Sequence, residues 1–297
     1  MTATTVTEVG IPAVGAVTDA ASPAAATAGT RGRRQGTLGR LGGDIPTGAK
    51  VALAGAGVVA MLAAWQLLAS AVGPDSPIVA SPASTWDALL ELARSGDLLD
   101  NLVPSLRRVA IAYSMSMAIG VVLGILTGSF RSAEAFFEPT IGFLRYIPAT
   151  ALTGIFLLWL GIDEGPKVGL VVAGTLFYNI IMISDVARSV PREQINAAYT
   201  LGAGRVTVLR RVVLPYSYPG IVDVARVNLA AAWLMLMVGE LQGGQAGLAI
   251  ELTRSGRFRQ VDRVWAILVV LGVIGLLSDV GLRALRRRTA PWSEGSR

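Results

Sequence analysis

The sequence predicts an all-α polytopic membrane protein with about six transmembrane helices. Hydrophobic residues make up 53% of its 297 positions and charged residues only 15%, whereas a soluble domain carries about a quarter charged. The mean hydropathy is +0.57. Six apolar segments, each near the ~20 residues a helix needs to cross a bilayer, alternate with polar connections.

The elements follow in order. Residues 1–49 are rich in Ala, Thr, Gly and Pro and lack hydrophobic periodicity, which predicts a disordered tail. The tail turns basic toward its end at Arg31, Arg33, Arg34 and Arg40, with Lys50 next. No N-terminal apolar region suits a cleaved signal peptide. The membrane domain is expected over 50–288, with a short tail over 289–297. Its first span is Val51–Val72, where Gln66 is the one strongly polar interruption. Residues Ser81–Arg94 then read as a short amphipathic surface helix. Ser84 is the expected N-cap, and Trp86, Leu89, Leu90 and Leu92 supply the apolar stripe. Trp86 suits a membrane interface. The remaining spans are Ser105–Gly128, Pro139–Leu160, Val168–Val186, Tyr218–Gly239 and Val264–Leu282. Pro148 should bend the third.

Orientation follows from Arg and Lys. With a cytoplasmic N-terminus, the inner segments hold 16 of them, the outer segments eight, and Arg145 and Arg226 fall within spans. That bias predicts both termini inside a plasma or inner membrane.

Cysteine and histidine are absent. This excludes disulfides, thiol nucleophiles, Cys/His zinc sites and a Ser-His-Asp triad. Lys50 and Lys167 are the only lysines and each precedes valine, so neither fits a G-x4-G-K-[ST] phosphate loop. If ATP drives this protein, another chain binds the nucleotide and its magnesium. No cofactor is expected here, and no nucleic-acid partner.

One polar, basic segment is unusually organised for a loop between spans. It runs from Pro191 to Ser217, within a cytoplasmic loop expected over 190–216. Ser189 or a neighbour is expected to cap a helix with Pro191 in its first turn. Ala197, Ala198 and Leu201 favour helix, and Gly202 breaks it. A second short helix carries Leu209, Val212 and Val213 and is expected to stop at Leu214-Pro215. Such a loop either anchors to anionic lipid or docks on a partner.

Here the chain resembles the membrane subunit, or permease, of ATP-binding-cassette (ABC) importers. Their signature is E-A-A-x3-G-x9-I-x-L-P. This chain has Asn196-Ala197-Ala198-x3-Gly202-x9-Val212-x-Leu214-Pro215. Asn196 stands where the family has glutamate. The resemblance covers about residues 80–285 and is closest to permeases for nitrate, sulfonates, taurine and bicarbonate. Ser105-Leu-Arg-Arg-Val109, Arg145-Tyr-Ile-Pro148, Leu158-Trp-Leu-Gly161 and Ala232-Trp233 through Glu240 to Gly247-Leu-Ala-Ile250 carry it. Ala249 stands where the family often has a second glycine. The resemblance implies the type I importer (MetI-like) permease fold and a homodimer. Its further partners are two ATPase subunits, an outer substrate-binding protein and the surrounding lipid. Asn196, Ala197, Ala198, Tyr199, Leu201, Gly202, Leu214 and Pro215 would form the element that couples to the ATPase.

Candidate pathway residues are Arg145, Asn179, Arg226 and Glu240. Arginines at depth must be paired, hydrated or functional. A guanidinium can fork onto two anionic oxygens, which suits an oxoanion. Pairing with Asp185 or Glu240, or snorkelling, is the structural alternative. Gly120, Gly124 and Gly128 share one helix face and form either a pathway wall, a dimer seam or plain packing. Arg254, Arg257, Arg259 and Arg263 in an outer segment suit docking of an acidic binding protein or a solvated loop. The rival functions are a secondary transporter driven by an ion gradient and a membrane-embedded enzyme.

Overall fold

The computed structural model describes residues 46–73 and 76–292. Most of the predicted N-terminal tail and the end of the C-terminal tail lie outside these residues. The chain divides into two units, 1–57 and 58–297. Within the first, residues 47–57 are the opening turns of helix α1.

All regular structure among the described residues is helical: α1 (Thr47–Val72), α2 (Pro82–Ser95), α3 (Asp97–Ser129), α4 (Arg131–Leu144), α5 (Thr153–Leu160), α6 (Glu164–Arg188), α7 (Arg192–Thr200), α8 (Arg205–Val208), α9 (Leu214–Glu240), α10 (Leu248–Arg257) and α11 (Val261–Thr289). Five continuous stretches are long and apolar enough to cross a membrane: α1, α3, α6, Arg205–Glu240 and α11. A sixth is made of two pieces, and counting it as one span gives the six expected.

That sixth span, expected over Pro139–Leu160 with a bend at Pro148, is broken outright. Helix α4 ends at Leu144, a 3₁₀ turn covers Ala149–Leu152, and α5 leaves at 80° to α4. Pro148 is the physical reason. It cannot donate a backbone hydrogen bond, and it pushes the preceding residue away from helical geometry.

The core is a sandwich of α3, α6 and α9. Glycines set its closest seam. A methyl group at Gly120 would lie 2.9 Å from the Asn179 Cβ, one at Gly124 2.7 Å from the Ile183 Cβ, and one at Gly128 2.5 Å from the Ser184 carbonyl. Contacts advance together along both helices, so α3 and α6 run parallel. The three glycines are therefore the packing seam between α3 and α6 of one chain. Helix α9 runs antiparallel to α6, with Gly220 against Val186 and Gly239 against Lys167.

Helix α1 has almost no buried side chains. Apolar residues cover its whole circumference, the pattern of a helix whose solvent is lipid. Within the second unit, Trp65 stacks on Trp265 of α11 at 5.1 Å. Each indole donates to a carbonyl of the irregular segment before α2, Trp65 to Ala80 and Trp265 to Ile78. Helix α2 begins earlier than expected, because Ser81, not Ser84, is its N-cap. The Ser81 hydroxyl accepts the Ser84 N–H at 3.1 Å, and Pro82 sits preorganised in the first turn. Its buried stripe is Thr85, Ala88 and Leu92, while Trp86 is exposed.

Candidate functional site

The segment that the sequence singled out is built around one turn. Helix α7 starts at Arg192 with Pro191 at its N-cap position. Ser189 does not cap it, because its hydroxyl turns back to the Val186 carbonyl and closes α6 instead. At the far end Gly202 adopts φ +81, the left-handed region that glycine enters without a Cβ clash. Its N–H donates to the Tyr199 carbonyl at 2.9 Å, and the Ala203 N–H donates to the Ala198 carbonyl at 3.0 Å. This pair of bonds is a Schellman motif, which satisfies carbonyls that the helix end would otherwise orphan. It supplies the physical sense of A-A-x3-G. Glycine occupies the left-handed position, and a small Ala198 lies under the returning chain. Leu201 is left at the crest, 87% exposed.

The chain then re-enters helix at Arg205 and does not stop at Leu214-Pro215 as expected. It passes through a π turn over Leu209–Val213, in which the Leu214 N–H reaches back five residues to the Leu209 carbonyl. Helix α9 starts at Leu214 with Pro215 in its first turn. Proline lacks the N–H that an α-helix would need there, and the wider turn absorbs that vacancy without breaking the rod. The result is one 36-residue helical stretch, Arg205–Glu240.

Beside α7 lies a groove of about 490 Å³, lined among others by Arg131, Arg188, Asn196, Tyr199 and Arg205. Asn196 is exposed there, in a basic setting.

At the opposite end of the bundle, a second constellation joins α3, α6, α9 and the loop before α10. Arg108 forks onto Glu164, with Nε to Oε2 at 2.6 Å and Nη2 to Oε1 at 2.7 Å. Its Nη1 donates to Glu240 Oε1 at 2.8 Å and to the Ala246 carbonyl at 2.7 Å. Glu240 is completely buried and also accepts from Ser105 Oγ and the Ala249 N–H. Lys167 adds an ion pair to Glu164 at 3.2 Å. Asn101 Oδ1 and Ser105 Oγ accept the Gly247 and Leu248 N–H groups and so hold the loop down. Arg108, Glu164 and Lys167 were not singled out by sequence reasoning. The available signal was the match around Ser105-Leu-Arg-Arg-Val109, whose spacing puts Ser105 and Arg108 on one helix face.

Asn179 also lies inside the chain, with no exposed surface. Its amide donates to Ser116 Oγ at 3.0 Å, and its Oδ1 accepts from Asn228 at 2.7 Å. Thr175 joins through Ser116 at 2.7 Å. These polar side chains tie α3, α6 and α9 together where no water supplies partners. Arg226 pairs with Asp279 of α11 at 3.4 Å, not with Asp185 or Glu240. Arg145 is the C-cap of α4, at the break. Its Nη2 donates to the Tyr146 hydroxyl at 2.9 Å, and its guanidinium carbon sits 4.7 Å from that ring's centre. The four residues thus occupy four separate places. In the basic segment expected to lie outside, Arg263 pairs with Glu91 at 2.7 Å and Arg254 is 4.0 Å from Glu251.

Residues 120–291 match the family of binding-protein-dependent transport system inner membrane components. A probable ABC transporter permease protein of Brucella abortus is 31% identical over 77% of this chain and 91% of its own length. A putative aliphatic sulfonates transport permease protein of Bacillus subtilis is 29% identical over 78% of this chain and 84% of its own. The taurine transport system permease protein of Escherichia coli is 29% identical over 83% and 92%. Among solved structures, the inward-facing MetNI methionine ABC transporter aligns with a TM-score of 0.57 at 18% identity, over 65% of this chain and 96% of that one. A family match over more than half the sequence, a permease relative along nearly its full length and the shared helical fold agree: the chain belongs to the binding-protein-dependent transport system inner membrane components, the multi-pass permeases of ABC importers.

Proposed function

We propose that this chain forms the translocation pathway of an ATP-driven importer for a small sulfonate or a related oxoanion of the nitrate or bicarbonate type. A substrate-binding protein delivers the substrate at the face carrying α10. Two copies of the chain assemble with two ATPase subunits, which supply ATP and magnesium, and this chain performs no hydrolysis itself. Both termini are cytoplasmic, which places α7 on the ATPase side. Sulfonate is favoured among substrates by the named relatives in Bacillus subtilis and Escherichia coli.

The observation that carries the reading is the Schellman-closed turn at Ala198–Ala203, which holds Leu201 out at the crest of a basic loop. A large apolar side chain at the tip of a rigid turn is an anchor awaiting a pocket. The rival reading, a carrier driven by an ion gradient, needs an acidic group free to take up and release its ion within the spans. Glu240, Asp223 and Asp279 are each ion-paired to arginine.

Gly202→Asp tests the proposal. No atom lies within 4 Å of a Cβ at this position. The left-handed backbone costs a non-glycine residue about 1–2 kcal/mol, and Asp tolerates it better than most. The helix should therefore persist while a carboxylate is thrust at the partner beside Leu201. We expect normal membrane insertion with loss of the co-purifying ATPase and of uptake. A normal complement of ATPase together with normal uptake would refute the assignment.

A further inference from the structure

A mainly apolar groove of about 540 Å³ lies between α3, α9 and α11. Helix α9 packs on both of the others and makes its floor, at Val222, Ala225 and Leu229. Tyr113 closes the α3 side, and its hydroxyl is spent on the Ala225 carbonyl at 2.7 Å. All three helices belong to stretches long and apolar enough to cross a membrane, so the natural occupant of such a groove is apolar too.

The wall supplied by α11 ends in charge. Its lining residues Ser278, Gly281, Leu282 and Leu285 recur every three or four positions and form one stripe along the helix. The next position on that stripe is Arg288. Asp223 and Asp279, the acidic residues on this part of α9 and α11, are already taken. Arg286 pairs with Asp223 at 2.6 Å, and Asp279 is shared by Arg226 at 3.4 Å and Arg283. Arg288 has no ion pair among the described residues. Arg226, Arg283, Arg286, Arg287 and Arg288 thus stand against two carboxylates, and the end of the groove is positive. Trp292 follows four residues after Arg288 and is 60% exposed, which suits the headgroup level of a bilayer.

An apolar groove that ends in unspent positive charge fits an amphiphile with an anionic head. A helix of a second copy would need an acidic end to match. Helix α1, the span with the least buried surface, has no acidic residue in its first turn and carries Lys50 there. We propose that the groove is a binding site for an anionic phospholipid, with one acyl chain laid between α3, α9 and α11 and the phosphate at Arg288.

The test uses the full-length permease in neutral detergent micelles, read by native mass spectrometry. It is titrated with phosphatidylglycerol, or with phosphatidylcholine of the same acyl chains. We expect phosphatidylglycerol to be retained at least about fivefold more tightly, roughly the worth of one arginine near an anionic headgroup. Glycerol 3-phosphate carries the charge without the chain and should not be retained. Arg288→Gln should bring the two lipids to within about twofold of each other. Gly281→Trp tests the groove itself. No atom lies within 4 Å of a Cβ there, so the helix tolerates a side chain while the indole fills the groove, and the retained lipid should be lost. Equal retention of the two lipids by the wild type, a preference that survives Arg288→Gln, or lipid undiminished by Gly281→Trp would each overturn the proposal. Glycerol 3-phosphate retained as tightly as the lipid would also overturn it, because the chain would then contribute nothing. Gly281→Cys, in a chain with no other cysteine, decides between lipid and protein. A disulfide between two copies in a bilayer would show the groove covered by a second copy and sink the lipid site.

Discussion

Replacing Arg108 with methionine should be among the most damaging single changes in this protein. Arg108 serves two carboxylates and one carbonyl from α3. When it is removed, Glu164 keeps Lys167 and is itself half exposed, so its loss is softened by solvent. Glu240 has no such relief. It is fully buried, and its remaining partners, Ser105 Oγ and the Ala249 N–H, are already engaged. A buried charge deprived of its counter-ion costs about 3–5 kcal/mol. That is comparable to the lower end of the total stability of a folded domain, about 5–15 kcal/mol. Methionine matches much of the arginine stem's volume, so the cost is electrostatic and not a cavity. The assay is unfolding free energy in mixed micelles for wild type, Arg108→Met, Glu240→Gln and the double variant. Glu240→Gln removes the charge that the arginine must otherwise satisfy, so the double variant should be more stable than the sum of the single losses by about 1–3 kcal/mol. Additive losses, or an Arg108→Met variant within about 1 kcal/mol of wild type, would refute the reasoning.

Two further outcomes follow from the interior. Gly124→Val places atoms where the Ile183 side chain and the Ile180 carbonyl already lie within 2.9 Å. It should destabilise by about 1–3 kcal/mol or more through overpacking, measurable as a fall in unfolding temperature, whereas Gly142→Val, with no neighbour within 4 Å, should cost under about 1 kcal/mol. Asn228→Leu strips the Asn179 Oδ1 of its donor and should cost about 0.6–1.7 kcal/mol, the range of such bonds between membrane helices. An unchanged unfolding curve would show that Asn179 finds another partner.

The sequence revealed most where periodicity and chemistry coincide. Five continuous apolar stretches were legible because lipid demands length and hydrophobicity whatever the partners. The A-A-x3-G spacing was legible because a helix end needs its left-handed residue at one place only. The bend of the third span at Pro148 was legible, but its size was not, because hydropathy ignores direction. Its composition crosses a membrane, but Pro148 turns it by 80°. Pro215 was misread as a stop. A π turn compensates it, and no local residue pattern advertises that turn. Long-range pairing was the least legible. Arg226 meets Asp279 and Arg108 meets Glu240, 53 and 132 residues away in the chain. A single sequence contains many arginines and many carboxylates, and nothing in it says which of them face each other across helices.

The two constellations described are the ends of one object. Arg205 follows the Gly202 turn after two residues, and Glu240 is the last residue of the same 36-residue helical stretch. At about 1.5 Å per residue that rod spans about 54 Å. The exposed Leu201 crest lies just before its first turn, and its last residue is clamped by Arg108 to α3. Through Arg108 and Glu164 it is also clamped to α6. The π turn and Pro215 sit near the Gly202 end, where a wider turn gives bending freedom, and nothing comparable interrupts the rod beyond Pro219. On the transport reading, motion delivered at α7 can bend the rod near Leu209–Val213 but must then move α9 as a unit. The clamp at Glu240 makes α3 and α6 move with it. The buried Ser116, Thr175, Asn179 and Asn228 network binds the same three helices at mid-depth. In the proposed two-copy assembly, a permease so tied within one chain changes access by moving against the second copy, so its moving surface lies outside these three helices. The broken span α4–α5, whose Phe143, Tyr146, Leu158 and Trp159 are all more than 69% exposed, is the surface where cross-linking between two copies should trap or block the cycle.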